Sequence, residues 1–490
     1  MAGGAEQAAG ADLGPGGLDG LRVLVAGLGV SGRAAAEVLL ARGARVTTVD
    51  EKAPDADLAD PAVVDLAATD LVVASPGWPP HHPFLAAATA AGVAVCSEVE
   101  LAWRLRADRT GGDGPAPWVV VTGTNGKTTT VSMLSSILTA AGLRAPAVGN
   151  VGDPVVAAAV DPANDVLAVE LSSFQLHFTT SLAAEAAMVL NVAPDHLDWH
   201  GGLEEYAAAK ARVYAGVRTA CVYDVAEPRV EAMVRDADVE EGARAVGITR
   251  GVPAPGQVGV VEGILVDRAF HLPFDDPQRR DHAAELAHVA DLQHLAGPDG
   301  VVAPHVLTDA LAAAALARAH GVPARAVRDG LRAYRAGAHR TALVRTLDDV
   351  AYVDDSKATN AHAASAALRA FAPGSVVWVA GGLAKGARFD DLVAERADRL
   401  RAVVLIGVDP EPLADALGRH APSIPVERVD PTETGTVMTR AVTSARRLAR
   451  SGDTVLLAPA CASMDQFASY AARGDAFAHA VAELDAREES

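Results

Sequence analysis

Lysine is scarce in this sequence. Only five of the 42 basic residues are lysine, and all the others are arginine. The five are Lys52, Lys127, Lys210, Lys357 and Lys385. Arginine can serve wherever only positive charge is needed. We therefore predict that the remaining lysines lie where a compact ammonium group or a modifiable amine is required.

Net positive charge, cysteine pairs and long apolar runs are also lacking. The formal net charge of −20 argues against nucleic acid or an anionic membrane as the main partner. The three cysteines are widely spaced, so neither a disulfide framework nor a CxxC metal site is indicated, and a cytoplasmic location is expected. No apolar run approaches the length of a membrane span. Residues 1–18 lack a signal-peptide pattern and are predicted to be disordered.

Strand-like apolar runs alternate with helical segments along the 490 residues, which indicates an α/β protein. We predict three domains, each an open and mostly parallel sheet flanked by helices. They are a Rossmann-like domain at 19–110, a P-loop ATPase domain at 118–340 after a linker at 111–117, and a Rossmann-like domain at 341–490. Ligands are expected outside the carboxyl ends of the strands.

The segment WVVVTGTNGKTTT at 118–130 predicts a buried strand, a phosphate-binding loop and the start of a helix. In this geometry the backbone N–H groups converge on an anion, while Lys127 reaches the outer phosphates and Thr128 offers a hydroxyl to Mg²⁺. The motif is shorter than the strict phosphate-loop pattern. We predict that ATP is bound by Gly123, Thr124, Asn125, Gly126, Lys127, Thr128 and Thr129.

Two residues that follow apolar runs are candidate metal ligands. Glu170 ends the run VLAVE, and a carboxylate at the end of a strand beside a phosphate loop is well placed to hold Mg²⁺. His196 follows the next apolar run, in the segment APDHLDWH. We therefore predict His196 as a ligand of a second Mg²⁺.

A glycine-rich turn also follows the first strand. The residues Gly27 to Gly32 read GLGVSG, and Asp50 ends the next strand about 20 residues later. The pattern alone is that of an NAD-binding fingerprint. Its physical meaning is broader, because any nucleotide diphosphate can approach such a backbone.

The last third of the chain carries polar groups after several strands. Lys357 and Lys385 each follow a predicted strand, and Thr359 and Ser463 lie on adjacent loops. This combination predicts a site for carboxylate or phosphate oxygens.

Together these motifs resemble those of the Mur ligases, the ATP-dependent amide-forming enzymes of peptidoglycan synthesis, from about residue 20 to the end. The segments DSKATN at 355–360 and PACASMDQF at 459–467 resemble those of the members that add D-glutamate. The resemblance implies that D-glutamate is joined to UDP-N-acetylmuramoyl-L-alanine through an acyl phosphate. It also implies a cytoplasmic monomer with no nucleic-acid or membrane partner.

The resemblance implies a role for individual residues as well. The implied catalytic residues are Lys127, Glu170, His196 and Lys210. Two Mg²⁺ sites would be formed by Thr128, Glu170, His196 and a carbamylated Lys210. Further ATP contacts are implied for Asp309, Arg340, Asp355 and Lys357. The UDP-sugar would be bound by Val30, Ser31, Gly32, Lys52, Gly77, Asn150 and His196, and D-glutamate by Thr359, Lys385, Ser463 and Tyr470.

The sequence departs from the family pattern at one adenine contact. Asp309 stands where the family has asparagine, so its side chain can accept an adenine N–H but cannot donate.

Three alternative functions stay open at this point. They are another ligase of the Mur or folylpolyglutamate type, a non-catalytic nucleotide sensor, and an NAD-binding protein.

Overall fold

A computed structural model describes residues 17–297, 300–432 and 434–485. The disorder expected for residues 1–16 lies outside the described residues. The described α-helices are α1 (Val30–Ala41), α2 (Pro83–Ala90), α3 (Glu98–Arg104), α4 (Lys127–Ala140), α5 (Val155–Ala159), α6 (Ser173–His177), α7 (Leu197–His200), α8 (Leu203–Ala211), α9 (Pro228–Arg235), α10 (Pro304–Ala319), α11 (Ala324–Ala333), α12 (Ala361–Arg369), α13 (Asp390–Arg396), α14 (Glu411–His420), α15 (Val437–Leu448) and α16 (Tyr470–Ala482). None of them combines the length and the apolar character that crossing a membrane requires.

The strands form three sheets. They are β1 (Arg22–Ala26), β2 (Arg45–Val49), β3 (Leu71–Ala74), β4 (Ala94–Ser97), β5 (Trp118–Thr122), β6 (Ala147–Gly149), β7 (Leu167–Glu170), β8 (Ala186–Val189), β9 (Ala220–Asp224), β10 (Arg244–Ile248), β11 (Gln257–Val261), β12 (Ile264–Asp267), β13 (Ala284–His288), β14 (Ala342–Leu347), β15 (Val350–Asp354), β16 (Val376–Gly381), β17 (Leu400–Ile406), β18 (Val426–Arg428) and β19 (Thr454–Leu457).

Most strand pairs are parallel, as predicted. The first sheet has the order β2-β1-β3-β4 and is parallel throughout. The second has the order β13-β12-β11-β10-β9-β8-β5-β7-β6, in which only the pairs β11–β12 and β12–β13 are antiparallel. The third has the order β14-β15-β19-β16-β17-β18, with β14 antiparallel to β15. The α/β class with mostly parallel sheets is confirmed.

The chain divides into two compact units. The first runs to Val192 and adds Trp199–Leu292 and Val306–Tyr334, so it contains the first two sheets. The second consists of Ala193–Asp198, Gln293–His305 and the chain from Arg335 onward, so it contains the third sheet. The three sheets fall within the three predicted domain ranges, and the exact domain limits stay a prediction.

A shared apolar core joins the first two sheets. Trp103 of α3 meets Trp118 of β5 edge to face, with ring centroids 5.1 Å apart. Both side chains are buried, as are the four residues that follow Trp118 in β5. A strand that is buried on both faces needs a continuous apolar run, which is the pattern of WVVV.

Two helices of the first unit approach each other very closely. Gly330 of α11 packs on α4, where a Cβ at its position would lie 2.3 Å from the Cα of Ile137. The hydroxyl of Ser136 donates to the carbonyl of Gly330 at 2.7 Å. Only glycine allows this approach, so Gly330 fixes how α11 lies on the helix that follows the phosphate loop.

Two glutamates of α3 form hydrogen bonds to the region of the second sheet, and their pKa values are shifted in opposite directions. The carboxylate of Glu98 accepts the Val156 N–H at 2.7 Å, and its other oxygen has no partner among the described residues. Burial raises the pKa of Glu98 to about 7. Burial also acts to raise the pKa of Glu100, but hydrogen bonds from Ser181 and Thr180 outweigh it and lower that pKa.

Substitution of Gly330 by alanine tests the close helix contact. We expect Gly330→Ala to lower the free energy of unfolding by about 2 kcal/mol or more, because the new Cβ would overlap the α4 backbone. The matched control is Gly418→Ala in α14, where nothing lies within 4 Å of an added Cβ. There the higher helix propensity of alanine should give up to about 1 kcal/mol of stability. Calorimetric unfolding of both variants measures the difference, and equal stability of Gly330→Ala and wild type would contradict the contact.

The pH dependence of stability tests the state of Glu98. Its folded pKa of about 7 lies above the unfolded value of 4.5, so the wild type loses stability as the pH rises between these values. We expect the stability of Glu98→Gln relative to wild type to increase over this window by on the order of 2 kcal/mol. Thermal unfolding of both proteins from pH 4 to 8 measures this change.

Glu100→Gln is the control for that measurement, since its pKa is lowered. The stability that the Glu100 carboxylate contributes is present above its unfolded pKa and is lost as the pH falls. The free energy of unfolding of Glu100→Gln should therefore fall relative to that of wild type as the pH rises. A Glu98→Gln difference that does not change with pH would show that the carboxyl group of Glu98 titrates normally.

Candidate nucleotide and ligation site

The phosphate loop is held from both ends by backbone geometry. Gly123 and Gly126 have φ angles of 148° and 84°, which glycine adopts readily, and Gly126 caps α4. The Asn191 side chain fixes the loop centre, because its Oδ1 accepts the Asn125 N–H at 2.9 Å and its Nδ2 donates to the Asn125 carbonyl at 3.2 Å. The strand–loop–helix prediction for residues 118–130 is confirmed.

Two lysines converge on one carbonyl oxygen of this loop. Lys127 Nζ donates to the carbonyls of Gly123 and Thr124, each at 2.9 Å. Lys210 Nζ donates to the same Gly123 carbonyl at 2.9 Å, and the Lys210 side chain is 1% exposed. The two ammonium groups share one acceptor, so a change of charge at either lysine would act directly on the other.

Tyr206 connects Lys210 to the phosphate loop. Lys210 Nζ lies 4.4 Å from the centroid of the Tyr206 ring, and the Tyr206 hydroxyl is 3.0 Å from Thr124 Oγ1. Both residues lie on α8, one helical turn apart. The structure therefore places Lys210 at the phosphate loop.

Glu170 lies at the end of β7 with a carboxylate that the protein only half satisfies. Its Oε1 accepts the Asn150 side-chain N–H at 2.8 Å, and its Oε2 is buried with no partner in the described part of the chain. The residue is 1% exposed. Gly149 allows the tight turn that brings Asn150 here, since a Cβ at Gly149 would lie 2.4 Å from the Glu170 carbonyl oxygen.

Asp309 lies beneath the phosphate loop. Its Oδ1 accepts the Thr130 hydroxyl at 3.2 Å, and a Cβ at Gly126 would lie 2.5 Å from the same oxygen. Asp309 is 5% exposed. These contacts give Asp309 a role in supporting the loop, and its predicted contact with adenine stays a prediction.

The glycine turn of the first sheet is fixed by Asp50. The Asp50 carboxylate accepts the N–H groups of Leu28, Lys52 and Ala53 at 2.7, 2.8 and 3.2 Å. Bonds from Leu28 and Lys52 are the main cause of its lowered pKa. This acid would contact the ribose in an NAD site, and here its bonds to the loop account for its presence without a dinucleotide.

Of the other residues predicted to bind the UDP-sugar, Val30, Ser31, Gly32, Lys52 and Gly77 lie at this turn or after the neighbouring strands, whereas Asn150 and His196 lie elsewhere in the chain. A Cβ at Gly32 would lie 1.9 Å from the Gly27 carbonyl oxygen, so no other residue fits at Gly32. Val30 is 74% exposed, Lys52 and Gly77 are exposed, and Ser31 is half-buried. These positions form an open polar surface at the carboxyl ends of β1 to β3.

The loop after β15 contains the predicted Asp355 and Lys357. Desolvation raises the pKa of Asp355 to about 7, against the opposing hydrogen bond from the Thr341 N–H and the charge of Arg340. Lys357 Nζ lies 3.9 Å from the centroid of the Tyr470 ring, so the two predicted residues are in contact.

Backbone hydrogen bonds bring together the three loops predicted to bind D-glutamate. Leu383 and Ala462 exchange backbone hydrogen bonds at 2.9 and 3.1 Å, which joins the Lys385 loop to the Ser463 loop. The Ala460 N–H donates to the Ala358 carbonyl at 2.9 Å, which joins the Thr359 loop to the same segment. Ser463 is buried, Thr359 is half-buried and Lys385 is exposed.

His196 belongs to the second unit, whereas Thr128, Glu170 and Lys210 belong to the first. Within its unit, His196 Nε2 lies 3.6 Å from Asp195 Oδ1, and Asp195 Oδ2 accepts the Asn360 side-chain N–H at 3.2 Å. No group of three or more His, Cys, Asp or Glu residues suited to a metal ion occurs among the described residues. The role of His196 as a metal ligand stays a prediction.

Sequence reasoning missed one buried residue that supports the second-unit loops. The Arg473 side chain is 1% exposed, and it donates to the Ser356 hydroxyl at 3.0 Å, the Ser356 carbonyl at 2.9 Å and the Cys461 carbonyl at 3.1 Å. Burial lowers its pKa to about 10. The segment YAARGDAF gives no signal for this role, because an arginine in a helix is exposed in most proteins.

Comparison with known proteins connects these features to one family. Residues 121–249 match the Mur ligase middle domain, and residues 339–461 match the glutamate ligase domain of Mur ligases. A UDP-N-acetylmuramoylalanine–D-glutamate ligase from Streptomyces avermitilis is 58% identical over 482 residues, which cover 95% of this chain and 99% of the relative. A protein of the same name from Bifidobacterium adolescentis is 50% identical over 472 residues, which cover 94% of this chain and 96% of the relative.

Solved structures share the fold at low sequence identity. The MurF ligase from Thermotoga maritima, in complex with ADP, superposes with a TM-score of 0.54 at 18% identity, covering 94% of each chain. A murein peptide ligase from Psychrobacter arcticus gives a TM-score of 0.53 at 15% identity, covering 96% of this chain and all of the other. The three-sheet architecture is thus that of known Mur ligases. High identity over nearly the whole length shows that the chain belongs to the Mur ligase family, in the group of UDP-N-acetylmuramoylalanine–D-glutamate ligases.

Proposed function

We propose that this chain is an ATP-dependent ligase that joins D-glutamate to UDP-N-acetylmuramoyl-L-alanine in peptidoglycan precursor synthesis, releasing ADP and phosphate. The main supporting observation is the convergence of Lys127 and Lys210 on the Gly123 carbonyl of the phosphate loop. This arrangement sets positive charge and a modifiable amine at the place where a phosphoryl group would be transferred.

The first step activates a carboxylate that is otherwise a poor acyl donor. An oxygen of the L-alanyl carboxylate attacks the γ-phosphorus of ATP, the bond to the departing ADP breaks, and an acyl phosphate forms. The loop N–H groups and Lys127 bind the phosphates and balance the charge that develops on them. When phosphate oxygens bind, they would replace the two loop carbonyls that hold Lys127 Nζ.

Glu170 and Thr128 fit the requirements of a Mg²⁺ site beside the phosphates. Glu170 Oε2 is buried and has no partner among the described residues, and burying a carboxylate oxygen without a partner is costly unless a cation or donor completes it. Magnesium takes few protein oxygens and completes its shell with phosphate and water. It would supply charge neutralisation on the transferring phosphoryl group. A second Mg²⁺, held with His196 and Lys210, is part of the same proposal.

Lys210 is proposed to be carbamylated. The Lys210 ammonium group would first lose one proton; the neutral amine would then attack the carbon of CO₂, forming an N–C bond as a C–O π bond breaks, and the nitrogen would release a second proton. The loss of two protons turns a cation into an anion. The modification would place this anion beside the Lys127 ammonium group, where both side chains meet the Gly123 carbonyl. Arginine cannot react in this way at neutral pH, which accounts for a lysine at this position in a chain that otherwise uses arginine.

The second step forms the amide bond. The amine of D-glutamate attacks the acyl carbon, a tetrahedral intermediate forms, phosphate leaves, and the nitrogen loses a proton to solvent. We propose that the carboxylates of D-glutamate are bound by Thr359, Lys385 and Ser463, whose loops are joined by backbone hydrogen bonds, with Tyr470 beside them. These donors would orient the amine and need not react themselves.

Other parts of the proposal follow from the sequence and the family. The UDP portion would bind at the Gly27 to Gly32 turn, and Arg340, Asp355 and Lys357 would contact ATP. The domain limits predicted above, a monomeric state and a cytoplasmic location complete it. No nucleic acid or membrane is proposed as a partner, in line with the net charge of −20.

Phosphate release tests the function directly. With ATP, Mg²⁺ and UDP-N-acetylmuramoyl-L-alanine present, we expect release with D-glutamate and none with L-glutamate or without an amino acid. Release that does not depend on the amino acid would contradict the ligase proposal.

Incubation with ¹³C-bicarbonate should give a carbamate NMR signal that is absent in Lys210→Arg, and an unchanged signal in that variant would contradict carbamylation at Lys210.

Glu170→Gln tests the proposed Mg²⁺ ligand. Removal of the carboxylate charge should lower kcat on the order of 100-fold and raise the Mg²⁺ concentration needed for half-maximal rate, with little change in KM for D-glutamate. The matched control is Glu185→Gln, since Glu185 precedes β8 at the opposite end of the same sheet and pairs with His320. It should leave both values unchanged. Wild-type Mg²⁺ dependence in Glu170→Gln would exclude this role.

A further inference from the structure

We propose that a pocket at the amino ends of the parallel strands of the second sheet is a binding site for a nucleoside monophosphate, separate from the phosphate loop. The pocket is formed around Arg244, Phe274 and Arg279, and its volume is about 290 Å³. We call it the Arg–Phe pocket. Its other walls come from the turn at Pro255 and Gly256 and from Ala269.

The Arg–Phe pocket lies at the amino ends of the parallel strands, whereas the phosphate loop lies at their carboxyl ends. The strands β5, β8, β9 and β10 pair in parallel, in that order. The phosphate loop follows the last residue of β5, whereas Arg244 is the first residue of β10. A ligand in the Arg–Phe pocket would therefore leave the phosphate loop accessible.

An exposed aromatic ring lies close to two guanidinium groups in this pocket. The guanidinium carbons of Arg244 and Arg279 lie 5.5 and 5.0 Å from the centroid of the Phe274 ring. Arg244 also lies 5.6 Å from the ring of Phe270. The Phe274 side chain is 70% exposed, although a ring of this size would gain free energy from burial. A planar ligand group can supply that burial.

The two arginines bring two positive charges to one backbone carbonyl. Arg279 Nη2 and Arg244 Nη1 donate to the same Ala269 carbonyl, at 2.7 and 3.4 Å. Neither arginine forms an ion pair with any described residue. By contrast, Arg318 pairs with the buried Asp267 nearby at 2.8 Å. In a chain with a net charge of −20, such a convergence favours an anionic ligand.

These features together specify the chemistry of the ligand. Two guanidinium forks with unused N–H groups suit a phosphate group, which they bind through charge-assisted hydrogen bonds. The exposed Phe274 ring suits a stacked base, and stacking of this kind tolerates any base. A cavity of about 290 Å³ is at the lower limit of small-molecule sites, which favours a ligand no larger than a mononucleotide. The combination favours a nucleoside monophosphate over inorganic phosphate or a free base.

Titration calorimetry with AMP tests the proposal on the full-length protein, with excess ADP and Mg²⁺ present so that the phosphate loop is occupied. We expect one further equivalent of AMP to bind. Phe274→Ala and Arg244→Ala should each weaken that binding about tenfold or more. Arg279→Lys keeps the charge but loses the planar fork, so it should also weaken AMP binding while the fold is retained. Arg280→Ala is the matched control, because Arg280 is exposed and does not line the pocket.

Two further ligands separate the contributions of the phosphate and the base. Adenosine and inorganic phosphate should each bind at least about tenfold more weakly than AMP. All four variants should keep the wild-type rate of phosphate release in the ligase assay without AMP. The proposal would be overturned by the absence of an additional AMP equivalent, by wild-type AMP affinity in the three pocket variants, or by equal binding of inorganic phosphate. Binding of an oligonucleotide or an acidic peptide in place of AMP would also overturn it.

Discussion

The carbonyl oxygen of Gly123 is the acceptor around which the candidate site is built. Lys127 donates to it from the helix that follows the loop. Lys210, which lies 83 positions after Lys127 in the sequence, donates to it from α8. Because both ammonium groups meet at one oxygen, an anion or a modification at either lysine would act directly on the other. Glycine is favoured at this position, since its φ of 148° is a backbone conformation that other residues rarely adopt.

Carboxylates in the first unit have different states because their burial and their hydrogen-bond partners differ. Glu100 accepts bonds from several donors and keeps its charge, whereas Glu98 has one donor and a raised pKa. Asp50 accepts three backbone N–H groups and serves the glycine turn. Glu170 accepts one donor and has a second oxygen unpartnered within the described residues, which distinguishes it as a candidate metal ligand.

The scarcity of lysine has a physical explanation at several of the five positions. Lys127 and Lys210 lie at the phosphate loop, and Lys357 lies against the ring of Tyr470. A guanidinium group is larger and cannot form a carbamate, so arginine would not replace lysine at the loop. The arginines instead hold peripheral ion pairs and buried backbone contacts, as Arg473 does.

The sequence by itself determined the α/β class, the parallel sheets, the phosphate loop and the positions of Lys127 and Glu170, because these depend on local patterns of apolar and glycine residues. Tertiary structure alone decided that Arg473 lies buried beneath the second-unit loops, that Asp309 supports Gly126 and that Arg244 meets Phe274. These contacts join residues far apart in the chain, and their side chains follow no periodic pattern. Such pairings are fixed only when the sheets bring distant loops together, which no local signal in one sequence encodes.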